Sequence, residues 1–375
     1  MAKNYLIKTL IFIFLIMLLL SFTSCFPVSL KKIDIQSISC ELIRIDTGFK
    51  VEKIVPGNSY YAEIKIITKD GKKISNPNLK DLYINSQNNS ITYSINIWNQ
   101  LILSFKNDFL FAAYDDFKLT IGSKYDKLVE NSFTWVIDWY NLPYLNFRGK
   151  DGIDGFNGTD GIDGADGTSS SPNGGNGTDG TNGGDGTDGE NGKTISLNIA
   201  YYKVPRKIEG YFHDYFIIIY EEVSNQIYLF PIDYNIVVDT SGGNGGDAGA
   251  PGKGGKGGKG YNGAPNGLNG KDGQPGKPGK GGDAGNIYVK CPSGFPVFKY
   301  FKFIAEGGKH GEAYLDFSKL NLVEAIVSTL VNAIFSKMVD GKNGFIDIKE
   351  VPLDKLFLGV QNNYFEKDRI FDLIN

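Results

Sequence analysis

Two glycine-rich blocks of equal length constrain the fold of this 375-residue chain more than any other feature. In 149–192, glycine stands at every third position, apart from one slip at 168–173. The block 242–285 repeats the rule from 243 to 258 and, in the same register, from 267 to 285. A polyproline-II helix has three residues per turn, so glycine would line one edge and let another segment approach closely. The sequence therefore predicts polyproline-II-type segments.

Three architectures are compatible with this period. The first is a collagen triple helix of three chains, although few prolines pre-set the backbone and the first block contains only Pro172. The second is a bundle of polyproline-II segments folded back within one chain. Runs such as GGNGGDAG at 242–249 favour it, because glycine then lines two edges. The third is a calcium-binding β-roll.

The β-roll alternative depends on two nonapeptides, at 174–182 and 183–191, which match the glycines and the aspartate of its repeat. Asp179 and Asp188 are the metal-ligand candidates of this alternative. The repeat also needs a large apolar residue, where both nonapeptides carry a polar one. We therefore predict no cofactor and no metal, with calcium as the exception under this alternative.

The two blocks carry opposite charge. The first has nine acidic residues and one lysine, whereas the second has six lysines and three aspartates. Equal length and opposite charge suggest that the blocks lie side by side, with 193–241 as the element that turns the chain back. The other interpretation is that these charges only solvate two separate linkers, since exposed ion pairs stabilise by at most about 1 kcal/mol each.

The amino terminus has the pattern of an export signal. Lys3 and Lys8 precede an unbroken apolar run at 10–20, which is too short to span a bilayer as a permanent helix. The run ends at Phe-Thr-Ser before Cys25, where small residues precede a cysteine. This looks like a bacterial lipobox, although Phe22 stands where leucine is usual.

The lipobox resembles the looser ones of spirochaetes, and the glycine blocks resemble the collagen-like Gly-X-Y repeats of bacterial surface proteins. Together they indicate a bacterial, spirochaete-type surface lipoprotein. The resemblance implies a lipid on Cys25, insertion of that lipid into a membrane, and a location in the cell envelope, at the outer membrane or the cell surface.

Short alternating runs with turn signals between them fill the region before the first block. Examples are 32–38, 41–45, 60–68 and 101–105, and this pattern predicts an immunoglobulin-like β-sandwich. We expect the tryptophans of this region to be core or sheet-face residues: Trp98, Trp135 and Trp139. Further runs after each block predict additional short strands, and 318–338 has the wide apolar face of a helix.

The predicted fold is thus mainly β, with an amino-terminal immunoglobulin-like sandwich, a glycine-rich polyproline-II or collagen-like module, short strands and one carboxyl-terminal helix. The predicted divisions are a signal peptide at 1–24, the sandwich at 25–147, the acidic Gly-X-Y block at 148–193, a small β segment at 194–241, the basic block at 242–285, a β-hairpin cap at 286–317, and a helix and strand region at 318–375.

No catalytic constellation is visible in the sequence. The chain has only two histidines, His213 and His310, and it has no nucleophile elbow, zinc-binding motif or phosphate-binding loop. If Cys25 is lipidated, Cys40 and Cys291 remain, either as a disulfide formed after export or as two buried thiols. We expect a protein that is not an enzyme.

The predicted function is structural, as a spacer, or adhesive, in a lipid-anchored envelope protein. The alternative is a calcium-dependent β-roll or a surface module that binds carbohydrate or protein. The partners expected are a membrane, reached through the lipid, a host or matrix protein, and further copies in a homotrimer unless the bundle forms within one chain. A net charge of −3 argues against nucleic acid.

Overall fold

The computed structural model describes residues 27–206, 214–314 and 340–371. Within these ranges the chain is mainly β, as predicted, with a few short helices. The predicted carboxyl-terminal helix at 318–338, Cys25 and His213 all lie outside the described residues. Elements are numbered in chain order.

The first two sheets form the predicted β-sandwich. One contains β1 Ile35–Arg44, β2 Lys50–Val51, β4 Ser59–Thr68, β5 Lys73–Ile74, β7 Ile91–Ile95 and β8 Leu101–Phe105. Its order is β2-β1-β4-β8-β7, and β5 pairs with β4. The other contains β3 Lys53–Ile54, β6 Leu82–Ser86, β9 Phe117–Ser123 and β10 Glu130–Ile137. Its order is β3-β10-β9-β6, and the pair of β3 with β10 is parallel.

The alternating pattern predicted the strands of the sandwich well, but it divided one strand into two and did not predict a short helix. Along β4, buried and half-buried residues alternate through all ten positions, as expected for a strand with one face on a core. The runs predicted as separate strands at 32–38 and 41–45 are instead the single strand β1. A short helix, α1 Phe109–Tyr114, was not predicted, and the Asp108 carboxylate caps it by accepting the Phe111 N–H at 2.9 Å.

The remaining strands form two further sheets, which take strands from both sides of the second glycine block. One contains β12 Ile195–Lys203, β13 Tyr215–Glu221, β14 Gln226–Pro231, β16 Ile287–Cys291, β18 Ile346–Glu350 and β19 Ile370–Phe371, in the order β14-β13-β12-β16-β18 with β19 on β12. The other contains β11 Leu145–Asn146, β15 Ile236–Asp239 and β17 Phe301–Ile304, all parallel. Two short helices, α2 Val297–Tyr300 and α3 Leu353–Leu356, lie beside these strands.

The sandwich and the later sheets share one hydrophobic core. The Trp139 ring meets Phe216 of β13 edge to face, with 5.0 Å between ring centroids. The Arg206 guanidinium forms an ion pair with Asp116 at 2.7 Å. The small β segment predicted at 194–241 therefore buries its apolar faces against the sandwich rather than forming a separate core.

Among the described residues, the two glycine blocks and two short stretches after them form a bundle of six extended segments, which hydrogen-bond to one another within the one chain. These are segment I 149–167, segment II 174–192, segment III 242–260, segment IV 267–285, segment V 306–312 and segment VI 340–344. Segments I, III and V make one layer and run parallel; segments II, IV and VI make the other. The two layers run antiparallel to each other, since I turns into II at 168–173 and III turns into IV at 261–266.

From Gly152 onward, each glycine N–H in segment I donates to a carbonyl in segment III, beginning with Gly152 to Asn244 at 2.6 Å and ending with Gly167 to Lys259 at 2.8 Å. Segment II donates to IV in the same way, from Gly177 to Leu268 at 2.9 Å onward. The acidic and basic blocks therefore lie side by side, as the sequence suggested, with strands β12 to β15 returning the chain between them. This is the intrachain bundle among the predicted alternatives, and no second chain is needed to pair these groups.

Each layer of the bundle continues into a parallel sheet without a change of register. Segments I and III are joined by side chain to backbone bonds that span 93 residues, and Leu145 of β11 pairs with Val238 of β15, also 93 residues away. The same offset is kept between III and V and between β15 and β17, at 65 residues. In the second layer it is 92 residues for II with IV and for β12 with β16. The strands of each sheet and the glycine segments of each layer are therefore paired in the same register.

We expect Gly249→Ala in segment III to lower the free energy of unfolding by about 3 kcal/mol, the upper end of the usual cost of overpacking, because the backbone would have to move. The added Cβ would overlap the backbone carbonyl oxygen of Phe156 and lie 2.9 Å from the Gly184 nitrogen. Urea unfolding measures the change. Ala250→Gly at the next position is the matched control, and equal losses in the two variants would contradict the proposed packing.

Candidate functional site: the outer rows of the glycine bundle

From Gly152 onward, each glycine of segment I and the Asp or Asn before it together bind one residue of segment III, at both its N–H and its carbonyl. The Asp160 carboxylate accepts the Lys253 N–H at 2.7 Å, while the Gly161 N–H donates to the Lys253 carbonyl at 2.7 Å. Asn157 makes the same bond to the Ala250 N–H at 2.9 Å. The same side-chain bond is made by Asp151, Asp154, Asp163 and Asp166. An amide serves as well as a carboxylate, so the requirement is a carbonyl-type oxygen and not a charge.

The same arrangement joins segments II and IV, and it includes both metal-ligand candidates. Asp179 accepts the Lys271 N–H and Asp188 accepts the Lys280 N–H, each at 2.7 Å. The two aspartates therefore act as backbone clamps. The described part of the chain contains no cluster of three or more His, Cys, Asp or Glu side chains able to hold a metal ion.

The β-roll interpretation does not describe the structure of this segment. Residues 174–191 contain no β-strand and pair as extended glycine segments on three-residue steps. The apparent match arose because a Gly-X-Asp period satisfies both patterns.

Opposite charge does not join the blocks through ion pairs. Within the described ranges, none of the six lysines of segments III and IV forms an ion pair, although each lies beside the acidic segments; they are Lys253, Lys256, Lys259, Lys271, Lys277 and Lys280. Their backbone N–H groups are bound, and their side chains extend outward, exposed. The ammonium groups are therefore available at the surface.

The outer edge of the bundle, where segment I meets segment II, carries a row of exposed apolar side chains. This apolar row consists of Ile153, Phe156 and Ile162, which are 75%, 74% and 75% exposed. Successive positions in the row are three residues apart or a multiple of three, about 9 Å per step in a polyproline-II segment. A regular, exposed apolar row is a candidate contact surface.

Threonines of segment II fix the backbone beneath the apolar row. The Thr187 hydroxyl accepts the Ile153 N–H at 2.7 Å, and the Thr187 N–H donates to the Ile153 carbonyl at 2.9 Å. Thr178 holds Ile162 in the same way. Opposite Phe156 the chain has Gly184, where a Cβ would lie 2.6 Å from the phenyl ring. The residues of segment II thus match the size of each side chain in the row.

The cysteines do not pair. Cys40 lies in β1 of the sandwich and Cys291 ends β16 in a different sheet, and both are free thiols. The disulfide alternative is therefore wrong. Burial, and secondarily the Glu41 carboxylate, raise the pKa of Cys40 to about 12. Burial also raises the pKa of Cys291. Both side chains stay protonated near neutral pH, so neither is a reactive nucleophile.

The structure places two of the tryptophans in the core and one at the surface, and it gives His310 a structural contact. Trp135 and Trp139 are buried, as predicted, whereas Trp98 is 76% exposed, which corrects the prediction for that residue. His310 Nδ1 lies 2.9 Å from an Asp340 carboxylate oxygen, where segments V and VI meet. It therefore ties two segments together.

Comparison with protein-family models, with curated proteins and with solved structures gave no match for this chain. Across the described ranges, no helix has both the length and the apolar character needed to cross a membrane. The function of this protein must therefore be inferred from its own residues.

We expect the triple change Asp160→Asn, Asp163→Asn and Asp166→Asn to leave the free energy of unfolding almost unchanged. The triple change of the same residues to alanine removes three backbone clamps and should cost about 2–3 kcal/mol, at about 1 kcal/mol per hydrogen bond. Urea unfolding at low and high salt distinguishes the two cases. A large, salt-sensitive loss in the asparagine variant would show that charge, rather than hydrogen bonding, holds the blocks together.

Proposed function

We propose that this protein is a non-enzymatic, lipid-anchored protein of the bacterial cell envelope, with an adhesive role carried by the glycine bundle. The observation that carries the proposal is the apolar row, whose three side chains are about three-quarters exposed on a backbone paired beneath them. Exposed apolar side chains held at regular spacing on an ordered backbone are suited to contact with another protein. The expected partner is a host or matrix protein.

The bundle is suited to this role because it is rigid. Its N–H and C=O groups bond between segments at three-residue intervals, so the side chains at outer positions have fixed spacing. A surface that is already ordered loses little conformational entropy on binding. Segment I spans 149–167, which corresponds to a length of about 60 Å at 3.1 Å per residue. The segments fold back at 168–173 and 261–266, so the spacer is shorter than a fully extended block.

The anchor would hold the sandwich close to the bilayer. Val28 is tied to the sandwich, because its N–H donates to the Asn76 carbonyl at 2.9 Å and its own carbonyl accepts the Asn78 N–H at 2.8 Å. It is three positions after Cys25, with two residues between them, and this corresponds to a reach of about 10 Å at most. Exposed lysines line the surface beside Val28: Lys32, Lys69, Lys72 and Lys73. Basic side chains near a lipid anchor favour anionic headgroups, which supports a membrane-proximal position for this end.

Adhesion is tested with the triple variant Ile153→Ser, Phe156→Ser and Ile162→Ser. We expect retention of the variant on an immobilised matrix-protein extract to fall at least about tenfold, as for the loss of central apolar contacts. Its thermal midpoint should stay unchanged because these side chains are exposed.

The matched control changes Lys253, Lys256 and Lys259 to serine on the neighbouring face and should retain binding. Full retention of the apolar-row variant, or an equal loss in the lysine variant, would remove the adhesive role from the row.

Lipidation is tested by expressing the full chain in a bacterial host with radiolabelled palmitate. We expect label on the wild-type chain and none on Cys25→Ala, while Cys40→Ala keeps the label. Unlabelled wild-type protein, or label that persists in Cys25→Ala, would contradict the anchor. This result is independent of the adhesion result.

A further inference from the structure

We propose that the sandwich contains a saccharide-binding groove with Trp98 as its aromatic wall. The groove has a volume of about 500 Å³, and Trp98, Tyr61, Glu63, Ser75, Asn99 and Gln100 line it. That volume lies within the range of small-ligand sites. The groove lies on the sandwich and outside the glycine segments, so this inference is separate from the adhesive role of the apolar row.

The groove exists because one edge of β4 is only partly paired. Strand β8 pairs with Ser59–Ala62, and β5 pairs with Ile66 and Ile67. Glu63, Ile64 and Lys65 lie between these pairings and have no partner strand on that edge of the described sheet. The gap is therefore about 10 Å long, at 3.3 Å per residue.

The wall of the groove is held in place before any ligand binds. The backbone N–H of Trp98 donates to the Asn96 side-chain oxygen at 2.9 Å, which fixes the turn that carries the indole. Asn99 has a left-handed backbone with φ 58°, and its side-chain amide donates to the Pro77 carbonyl at 2.9 Å. The Asn99 side-chain oxygen accepts the Leu79 N–H at 3.3 Å. An exposed indole on an ordered turn is unfavourable in water and favourable as a binding surface.

The polar groups around the indole have unused hydrogen-bonding capacity. Tyr61 and Ser75 make no side-chain hydrogen bond to any described residue. The Gln100 side-chain oxygen accepts from Asn96 at 2.8 Å, which leaves its NH₂ group without a partner among the described residues. Glu63 contributes a carboxylate, shared with Lys65 at 3.3 Å.

This chemistry fits a neutral saccharide. A sugar ring presents an apolar C–H face, which stacks on an indole, and a rim of hydroxyls, which bond to amide, hydroxyl and carboxylate groups. An extended peptide fits less well. Adding a strand to a sheet requires an open edge, whereas β5 and β8 close this gap at both ends.

The test uses the full chain and measures iodide quenching of tryptophan fluorescence. Because Trp135 and Trp139 are buried, quenching reports mainly on Trp98. The probes are chitotetraose, cellotetraose, maltotetraose and mannotetraose, with a set of extended octapeptides for comparison. We expect at least one tetrasaccharide to protect Trp98 in a saturable manner.

Isothermal titration of that saccharide against Trp98→Ala should then show affinity reduced at least about tenfold, as for an aromatic anchor. Trp98→Phe should lose less. The matched control is Ile97→Ala, whose side chain is 91% exposed and does not line the groove, and it should bind as the wild type does. The proposal is overturned if no tetrasaccharide protects Trp98, if only peptides do, or if Trp98→Ala binds normally with an unchanged thermal midpoint.

Discussion

A polyproline-II segment makes no hydrogen bonds of its own, so its N–H and C=O groups must be paired by neighbours or by water. In this protein the neighbours supply the partners, and glycine makes their approach possible. Segment III shows the requirement most clearly because it has partners on several sides: its N–H groups bond to carbonyls of segments II and V, and its carbonyls accept from I and IV. A Cβ at Gly254 would overlap the Gly270 carbonyl oxygen, and one at Gly255 would overlap that of Ile162. Segment III therefore needs glycine on two of its edges, because a side chain on either edge would overlap a neighbouring segment.

The parallel strands explain how segments distant in sequence become aligned. Segments I and III are separated by four strands, and a closure of about ninety residues is costly for an unstructured chain. The tight turns at 168–173 and 261–266 make I with II, and III with IV, local hairpins. Pairing of β12 with β16, at the same offset of 92 residues as II with IV, then joins the hairpins in register. A sheet with a large apolar core thus organises a bundle that has almost none.

The sequence predicted the bundle through its period, because only a three-residue glycine repeat places an edge free of side chains along a segment. It also contained the clamps: Asp or Asn precedes nearly every glycine of segments I and II. The role of these residues was harder to predict, since aspartates beside lysines suggest ion pairs, whereas Asn157 and Asn182 make the same backbone bond without charge.

The apolar row could be located only once segment II was placed, because the same isoleucines would be buried in another packing. Trp98 was mispredicted because the position of an aromatic residue within a turn depends on side-chain bonds from Asn96 and Asn99, which no local pattern reveals.

Fold and surface are largely independent in such a bundle. Stability resides in main-chain bonds and in the Asx clamps, while the first position after each glycine in segment I points outward. Replacing Ile153 or Ile162 by another side chain leaves the bonds to Thr187 and Thr178 in place, since these bonds involve only the backbone of the replaced residue. Phe156 places a constraint on segment II instead, because its ring occupies space that only a glycine at position 184 leaves open. A surface of this kind can change its chemistry residue by residue without loss of fold, and this property would suit the proposed adhesive role.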